Sequence, residues 1–150
     1  MKKYEVGIRD VIYGDGVTVV EPVNMYECTL GNNVFIGPFC EIQKGVIIGN
    51  NTRIQSHTFI CELVSIGSDC FIAHGVMFIN DLFDDGCPAE NSTLWKKTFI
   101  SNNVSIGSNT TILPISICSN VVIGAGSVVT KDIVESGIYV GNPAKKIRNL

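Results

Sequence analysis

A six-residue repeat of large apolar side chains runs through the middle of this chain. Every sixth residue from position 30 to position 78 belongs to it: Leu30, Ile36, Ile42, Ile48, Ile54, Ile60, Ile66, Ile72 and Phe78. An amphipathic helix would repeat such residues about every 3.6 positions, and a strand every second position. A period of six is typical of a parallel β-helix, in which each hexad forms one face of a coil and points its aliphatic residue inward. Three faces per coil predict that residues about 18 apart lie directly above one another.

A second column of small or β-branched residues supports this prediction. It follows four positions behind the first column and consists of Val34, Cys40, Val46, Thr52, Thr58, Val64, Cys70 and Val76. The chain has six cysteines without any Cys-x-x-Cys spacing, and Cys40 and Cys70 fall in this inward column. We therefore expect buried, reduced thiols that pack as small apolar groups.

The repeat predicts a single domain over residues 1–150 with irregular parts. It is weak in residues 1–29, where we expect an imperfect first coil with a polar or irregular cap. It stops after Phe78 and returns at Ile100, which predicts a protruding loop at about residues 80–98. Apolar residues in that loop, Leu82 and Leu94 among them, favour an ordered arm that packs on another surface. Residues from about 132 to 150 form a short tail that glycine and proline interrupt.

Composition narrows the possible partners. The net charge of −3 and the pI of about 5.3 argue against a surface for nucleic acid or for an anionic membrane. No apolar run reaches the ~18 residues that span a bilayer, and residues 1–5 do not lead into a signal peptide, so we expect a cytoplasmic protein. Apolar residues make up 45% of the chain and charged residues 17%, which indicates that another subunit covers one face.

Three segments resemble a known family. They are the hexads of the form Ile-Gly-x-x-x-x, the stretch Ile-Gly-Ala-Gly-Ser-Val-Val-Thr-Lys-Asp at residues 123–132, and the ending Gly-Asn-Pro-Ala-Lys at residues 141–145. Together they are similar to the hexapeptide-repeat acyltransferases. The resemblance implies a left-handed parallel β-helix, a homotrimer, and acetyl-CoA as co-substrate in a groove between subunits, with no metal.

A narrower resemblance rests on residues 37–39, 41–45, 53–59 and 74–81. These segments are similar to nucleotide-sugar N-acetyltransferases, above all those that acetylate the 3-amino group of dTDP-linked 3-amino-3,6-dideoxyhexoses for surface polysaccharides. Related enzymes act on UDP-linked 3-amino glucuronates or on 4-amino sugars, and both acceptors stay open as alternatives. The loop shows no clear arginine for the carboxylate of a glucuronate.

The spacing of 18 predicts which polar residues meet. Lys44, Glu62 and Asn80 form one corner column at the root of the arm, with about 4.8 Å between coils, and Ser56 and His74 form a second column. We expect Glu62 and Asn80 to position the amine of the sugar and its proton. The resemblance implies that the leaving CoA sulfur takes this proton. The alternative is a histidine base, His57 or His74.

The full set of site predictions combines the spacing, the charges and the resemblance. The catalytic residues would be Asn80, Glu62 and His57. The substrate-binding residues would be Lys44, Arg53, Gln55, His74, Asp81, Phe83 and Trp95. The coenzyme would lie against Ser105, Gly107, Ala125, Gly126, Lys131, Lys145 and Arg148, where the basic residues suit its phosphates.

Simpler interpretations exist for the same residues. Asn80 above Glu62 could be a turn ladder that holds the arm, and Trp95 could pin the arm to a neighbouring subunit. The chain could also be a non-catalytic β-helical scaffold. A zinc enzyme of the carbonic-anhydrase type would need clustered histidines, and the two histidines of this chain cannot supply three ligands from one subunit.

Overall fold

The computed structural model describes residues 1–150 and confirms the predicted β-helix. Its strands are β1 (Ile8–Arg9), β2 (Ile12–Tyr13), β3 (Thr18–Val19), β4 (Asn24–Tyr26), β5 (Thr29–Leu30), β6 (Phe35–Ile36), β7 (Glu41–Ile42), β8 (Ile47–Ile48), β9 (Arg53–Ile54), β10 (Phe59–Ile60), β11 (Val64–Ile66), β12 (Phe71–Ile72), β13 (Met77–Phe78), β14 (Thr98–Ile100), β15 (Val104–Ile106), β16 (Thr111–Ile112), β17 (Ser116–Ile117), β18 (Val121–Ile123), β19 (Val128–Val129), β20 (Gly137–Val140) and β21 (Lys145–Arg148). One turn of 3₁₀-helix covers Ser92–Leu94. The structure contains no helix with the length and apolar character that crossing a bilayer requires.

From β1 to β19 every third strand belongs to the same sheet, so the chain winds around three parallel sheets as a solenoid, in agreement with the left-handed β-helix that the resemblance implied. The first sheet runs from β1 through β4, β7, β10, β13 and β16 to β19. The second sheet contains β2, β5, β8, β11, β14 and β17, and the third contains β3, β6, β9, β12, β15, β18, β20 and β21. Only β20 and β21 pair antiparallel, so the C-terminal tail ends as a hairpin on the third sheet.

The coils differ in length by one residue. In the middle of the solenoid Ile60 lies opposite Ile42, which is the predicted spacing of 18. Near the N-terminus Met25 lies opposite Ile42, and beyond the arm Ile117 lies opposite Ile100, so these coils hold one residue fewer. The second of these shorter coils contains Leu113 and Pro114.

The inward column forms the core as predicted. Its members from Leu30 to Phe78 are at most 2% exposed. Four cysteines, including Cys40 and Cys70, are buried among them, and Cys87 is exposed. Burial raises the pKa of the Cys61 thiol to about 12, so this thiol is neutral and packs as an apolar group.

The N-terminal end of the solenoid differs from the expected cap. The first coil is regular, with strands β1 to β3, and it encloses an apolar hollow of about 330 Å³. The lining residues are Ile8, Val11, Tyr13, Val17, Val19, Met25 and Leu30. This end of the solenoid is apolar and not polar, because the first coil continues the apolar interior, and residues 1–7 before it form no strand.

The arm replaces a corner between the first and second sheets. β13 ends at Phe78 and β14 begins at Thr98, so we define the arm as residues 79–97. Ile66 of the coil below pairs directly with Ile100 of the coil above. The solenoid therefore continues beneath the arm without a gap in the sheet.

Thr98, the first residue after the arm, has a buried hydroxyl without a hydrogen-bond partner. Because an unpaired buried hydroxyl is costly, we expect Thr98→Val to raise the free energy of unfolding by about 1 kcal/mol and Tm by about 2–4 °C. Thr52 is the matched control: its hydroxyl donates to the Gly67 carbonyl at 2.8 Å and accepts from the Cys70 amide at 3.1 Å. Thr52→Val should lower Tm. Thermal unfolding measures Tm for both variants. A lower Tm in Thr98→Val would contradict an unpaired hydroxyl at Thr98.

Candidate active site

The functional candidates lie on two of the three corners of the solenoid. We call residues 43–45, 61–63 and 79–80 the arm corner, which joins the first sheet to the second. We call residues 55–57 and 73–75 the histidine corner, which joins the third sheet to the first. Each corner forms a vertical column because parallel pairing places equivalent residues of successive coils above one another.

Asn80 lies above Glu62 on the arm corner, as the spacing predicted. The Asn80 side-chain amide donates from Nδ2 to the backbone carbonyl of Glu62 at 3.3 Å. The backbone carbonyl of Asn80 in turn accepts from the Lys96 amide at 2.8 Å. This bond joins the two ends of the arm, and we call Asn80 and Lys96 the neck of the arm. The contact between Asn80 and Glu62 therefore uses the backbone of Glu62 and leaves its carboxylate available.

The Glu62 carboxylate is partly buried and makes no hydrogen bond or ion pair in the structure. Glu62 and Glu41 both lie close enough to Tyr26 to affect its phenol. The pKa of the Tyr26 phenol is raised, first by burial and then by the nearby carboxylates of Glu41 and Glu62. A cluster of negative charge with one unpaired carboxylate suits a positively charged partner such as an ammonium group.

Lys44 takes a different partner from the one expected. Its ammonium lies 3.0 Å from the carboxylate of Glu27, one coil below, and this hydrogen bond is the main reason why the pKa of Lys44 is raised. Glu62 contributes to the same shift only as the last of several causes. Lys44 is therefore engaged on the coil below and does not complete a tight trio with Glu62 and Asn80.

His57 lies on the histidine corner and does not reach Glu62 within one chain. The two residues flank β10 at its opposite ends and therefore lie on different corners of the coil. His57 has a positive φ of 63°, and its ring packs against Phe39 with the ring centroids 4.9 Å apart and the ring planes tilted by 33°. His74 is exposed one coil above, and its backbone carbonyl accepts from the Asn109 amide.

The third sheet carries Arg53 on its outer face. The guanidinium carbon of Arg53 lies 4.5 Å from the ring centroid of Phe35, and Phe71 is its neighbour in the coil above. Gln55 follows β9 and is half-buried, with its backbone amide on the Ile72 carbonyl. Gln55 thus belongs to the histidine corner and Arg53 to the strand that leads into it, so neither residue lies at the arm corner.

The arm folds onto itself around Asp81. The Asp81 carboxylate accepts from the backbone amides of Phe83 at 3.0 Å and Ala89 at 2.8 Å. The arm encloses a cleft of about 640 Å³ with Trp95 in its wall. Four acids line this cleft, namely Asp81, Asp84, Asp85 and Glu90, and Lys96 is the one lining cation, paired with Asp84 at 2.5 Å. Such a cleft repels a pyrophosphate, so Asp81 and Trp95 do not form a diphosphate site by themselves.

The predicted coenzyme residues occupy three different places. Gly107, Ala125 and Gly126 continue the histidine corner in the coils above His74, and Ser105 lies above Phe71 on β15, the strand that leads into this corner. A Cβ on Gly107 would lie 2.4 Å from the Ala125 amide nitrogen, so only glycine fits there. Lys131 instead lies above the arm corner.

The tail residues Lys145 and Arg148 are exposed on β21 at the edge of the third sheet. The ammonium of Lys146, between them, pairs with Glu135 at 3.2 Å. Lys145 makes no side-chain hydrogen bond or ion pair in the structure, and the Arg148 guanidinium donates only to the Asn149 carbonyl at 3.1 Å, so both cations are available to a phosphate.

Sequence reasoning missed Tyr26 and gave no role to Gln43. The amide of Gln43 connects Glu41 to the backbone of Glu62, with distances of 3.0 Å and 3.3 Å. A signal was available for Gln43, because it directly precedes Lys44 in the corner column. Tyr26 could not be assigned from a strict period of 18, since the coil above it is one residue shorter.

Comparisons with known proteins agree with the fold. The bacterial transferase hexapeptide family (six repeats) matches residues 27–62, and the hexapeptide repeat of succinyl-transferase matches residues 98–131. The bifunctional protein GlmU of Streptococcus uberis is 36% identical over 143 residues, which are 94% of this chain and 29% of that protein. The chain thus spans less than a third of the length of this curated relative.

Two solved structures are similar over most of the chain. A variant of AntD, an N-acyltransferase from Bacillus cereus in complex with dTDP and coenzyme A, is 25% identical with a TM-score of 0.81, covering 93% of this chain and 83% of that chain. The polySia-specific acetyltransferase NeuO is 28% identical with a TM-score of 0.65, covering 96% and 83%. Both similar structures are named as acyl-transferring enzymes.

Proposed function

Since the chain belongs to the hexapeptide-repeat family of bacterial transferases, we propose that it moves the acetyl group of acetyl-CoA to the 3-amino group of a dTDP-linked 3-amino-3,6-dideoxyhexose. The observation that carries this proposal is the unpaired Glu62 carboxylate beside Asn80 at the root of the arm. The complex of AntD with dTDP and coenzyme A supports the two substrate classes. The product would serve the assembly of a surface polysaccharide, and the use of acetyl-CoA and a nucleotide sugar would place the reaction in the cytoplasm.

The chemistry requires a neutral amine at the moment of attack. The sugar amine would donate hydrogen bonds to the Glu62 carboxylate and to Asn80 Oδ1, which accepts no other hydrogen bond in the structure. The amine nitrogen forms a bond to the thioester carbonyl carbon, the carbon–sulfur bond breaks, and the leaving thiolate takes the proton. In this scheme Glu62 and Asn80 orient the nucleophile, and no strong protein base is needed.

The proposal includes a homotrimer with the site between subunits. Its support is the exposure of large apolar residues on the outer faces of the sheets, among them Phe71, Met77 and Phe99. Within one chain His57 and the residues above it are far from Glu62. A neighbouring subunit could bring its histidine corner to this arm corner, which would complete a groove for both substrates. A monomeric mass in solution would contradict the trimer.

The alternative acceptors differ in their fit to the arm. A UDP-linked 3-amino glucuronate carries its own carboxylate, which the four acids of the arm cleft would repel. A 4-amino sugar with a histidine base keeps one supporting observation, the exposure of His57. A non-catalytic scaffold would release no thiol from acetyl-CoA at all.

A panel of dTDP- and UDP-linked amino sugars with acetyl-CoA tests the function. We expect release of free CoA thiol and an acetylated sugar, identified by mass, with the dTDP-linked 3-amino sugar. Because Cys87 is an exposed thiol, reactions without sugar must supply the baseline. Turnover of 4-amino sugars alone would overturn the proposed acceptor, and no turnover with any sugar would overturn the enzymatic function.

Lys145 allows a separate test of coenzyme binding. Because an ammonium that pairs with a phosphate loses a charge-assisted hydrogen bond on neutralisation, we expect Lys145→Gln to raise the KM for acetyl-CoA about tenfold. Steady-state kinetics with varied acetyl-CoA measure this change. Lys3→Gln is the control, since Lys3 is exposed at the opposite end of the solenoid. An unchanged KM in Lys145→Gln would mean that the tail is only solvated.

A further inference from the structure

We propose that Gln43 is a positioning residue that holds Glu62 and Asn80 in place and thereby fixes the neck of the arm. Gln43 lies two coils below the arm, in the corner that follows β7. The proposal rests on the proposed function for its effect on turnover, whereas its effect on the arm can be measured without any activity.

A continuous series of hydrogen bonds leads from Gln43 to the arm. The Gln43 side chain donates from Nε2 to Glu41 Oε1 at 3.0 Å, and its Oε1 accepts from the Glu62 backbone amide at 3.3 Å. The Glu62 carbonyl then accepts from Asn80 Nδ2 at 3.3 Å, and the Asn80 carbonyl accepts from the Lys96 amide at 2.8 Å. These side-chain bonds add to the backbone bonds between the coils, such as the one from the Gln43 amide to the Ile60 carbonyl at 3.0 Å, and connect Gln43 to the arm.

Position 43 requires a side-chain amide, because the amide nitrogen donates one hydrogen bond and the amide oxygen accepts another. The equivalent positions in the two coils above hold Cys61 and Ile79, which cannot bridge in this way. Gln55 occupies the matching place after the neighbouring inward isoleucine, and its side chain makes no hydrogen bond. The bridge is therefore specific to the coil beneath Glu62 and is not a general feature of glutamines at these corners.

The side chain of Gln43 links the Glu41 carboxylate on the first sheet to Glu62, and through Glu62 to Asn80. Gln43 orients the Glu41 carboxylate on one side and the Glu62 backbone on the other. A shift of the Glu62 backbone would move both the free carboxylate and the carbonyl that holds Asn80. Positioning of an attacking amine depends on such placement, since small displacements of reacting groups reduce rates strongly.

The variant Gln43→Leu tests the proposal, because leucine keeps most of the volume and loses both hydrogen bonds. We expect backbone amides of the neck, above all that of Lys96, to exchange with deuterium about tenfold faster than in the parent protein. The emission of Trp95, the one tryptophan of the chain, should shift with the arm. Asn51→Gly is the matched control: it removes two ladder bonds, to Asn33 and Asp69, at another corner, and glycine suits its φ of 57°.

Kinetics separate positioning from a purely structural role. For the preferred sugar, Gln43→Leu should lower kcat about tenfold and leave the KM for acetyl-CoA unchanged, whereas Asn51→Gly should change neither. In a protein that already carries Asn80→Ala, Gln43→Leu should lower kcat little further, because both residues act through one series of hydrogen bonds. Neck exchange equal to that of the parent protein would overturn the proposal. A parent protein inactive on every sugar would overturn the proposed function, and the exchange measurement would still decide the role of Gln43.

Discussion

Asn80→Ala should lower kcat for acetyl transfer about a hundredfold, the size of effect seen when one positioned polar group near the reacting atoms is removed. The variant loses both the Oδ1 that would accept from the amine and the Nδ2 that donates to the Glu62 carbonyl. Glu62→Ala should cause a comparable loss, because its carboxylate has no other partner in the structure. Steady-state kinetics with the preferred sugar measure both variants.

His57→Asn is the comparison that distinguishes the two mechanisms. If Glu62 and Asn80 orient the amine and the thiolate takes the proton, His57→Asn should retain more turnover than either alanine variant. Complete loss in His57→Asn alone would overturn this assignment and favour a histidine base. If Asn80 only stabilises the corner through its hydrogen bond to Glu62, Asn80→Ala should lower Tm and leave kcat unchanged. That result would also contradict the prediction.

Ile48→Ala should destabilise the protein by about 2–5 kcal/mol and lower Tm by about 10 °C, since it leaves a cavity in the stacked interior. Ile48 is 1% exposed and lies between Leu30 and Ile66 of the adjacent coils. Thermal unfolding followed by circular dichroism at more than one heating rate would measure the loss.

Ile47 is an unusually close control for this variant. It is the same residue type, the direct neighbour of Ile48 in β8, and it points outward with 52% exposure. Ile47→Ala should change the free energy of unfolding by less than about 0.5 kcal/mol in an isolated chain. Equal losses in the two variants would contradict an uncovered outer face at β8 and would indicate that another subunit buries Ile47.

The sequence predicted the fold well because the rule for the interior is local. Each hexad must supply one large inward residue, and that requirement can be read six residues at a time from Leu30 to Phe78. The same period predicted that the solenoid is interrupted after Phe78 and that Asn80 lies above Glu62. Both predictions needed only the coil length of the regular middle region, where the spacing of 18 holds.

Predictions for the site were weaker where the coil length changes. A strict spacing of 18 would place Lys44 above Tyr26, but the coil between β4 and β7 is one residue shorter, so Lys44 lies above Glu27 and pairs with it. The same one-residue shift brings Tyr26 into the field of Glu41 and Glu62. No local pattern marks this shift, because it depends on which strands pair across coils.

The sequence by itself determined the three-faced coil, the inward column and the point from which the arm leaves, since a period of six places one large apolar residue inside each face. Only the tertiary structure decided which polar groups meet: Glu27 with Lys44, Gln43 with the Glu62 backbone, and His57 on a corner away from Glu62. The physical reason is that corner side chains choose partners from the coils above and below. A single residue more or less in one coil changes those partners without disturbing the core.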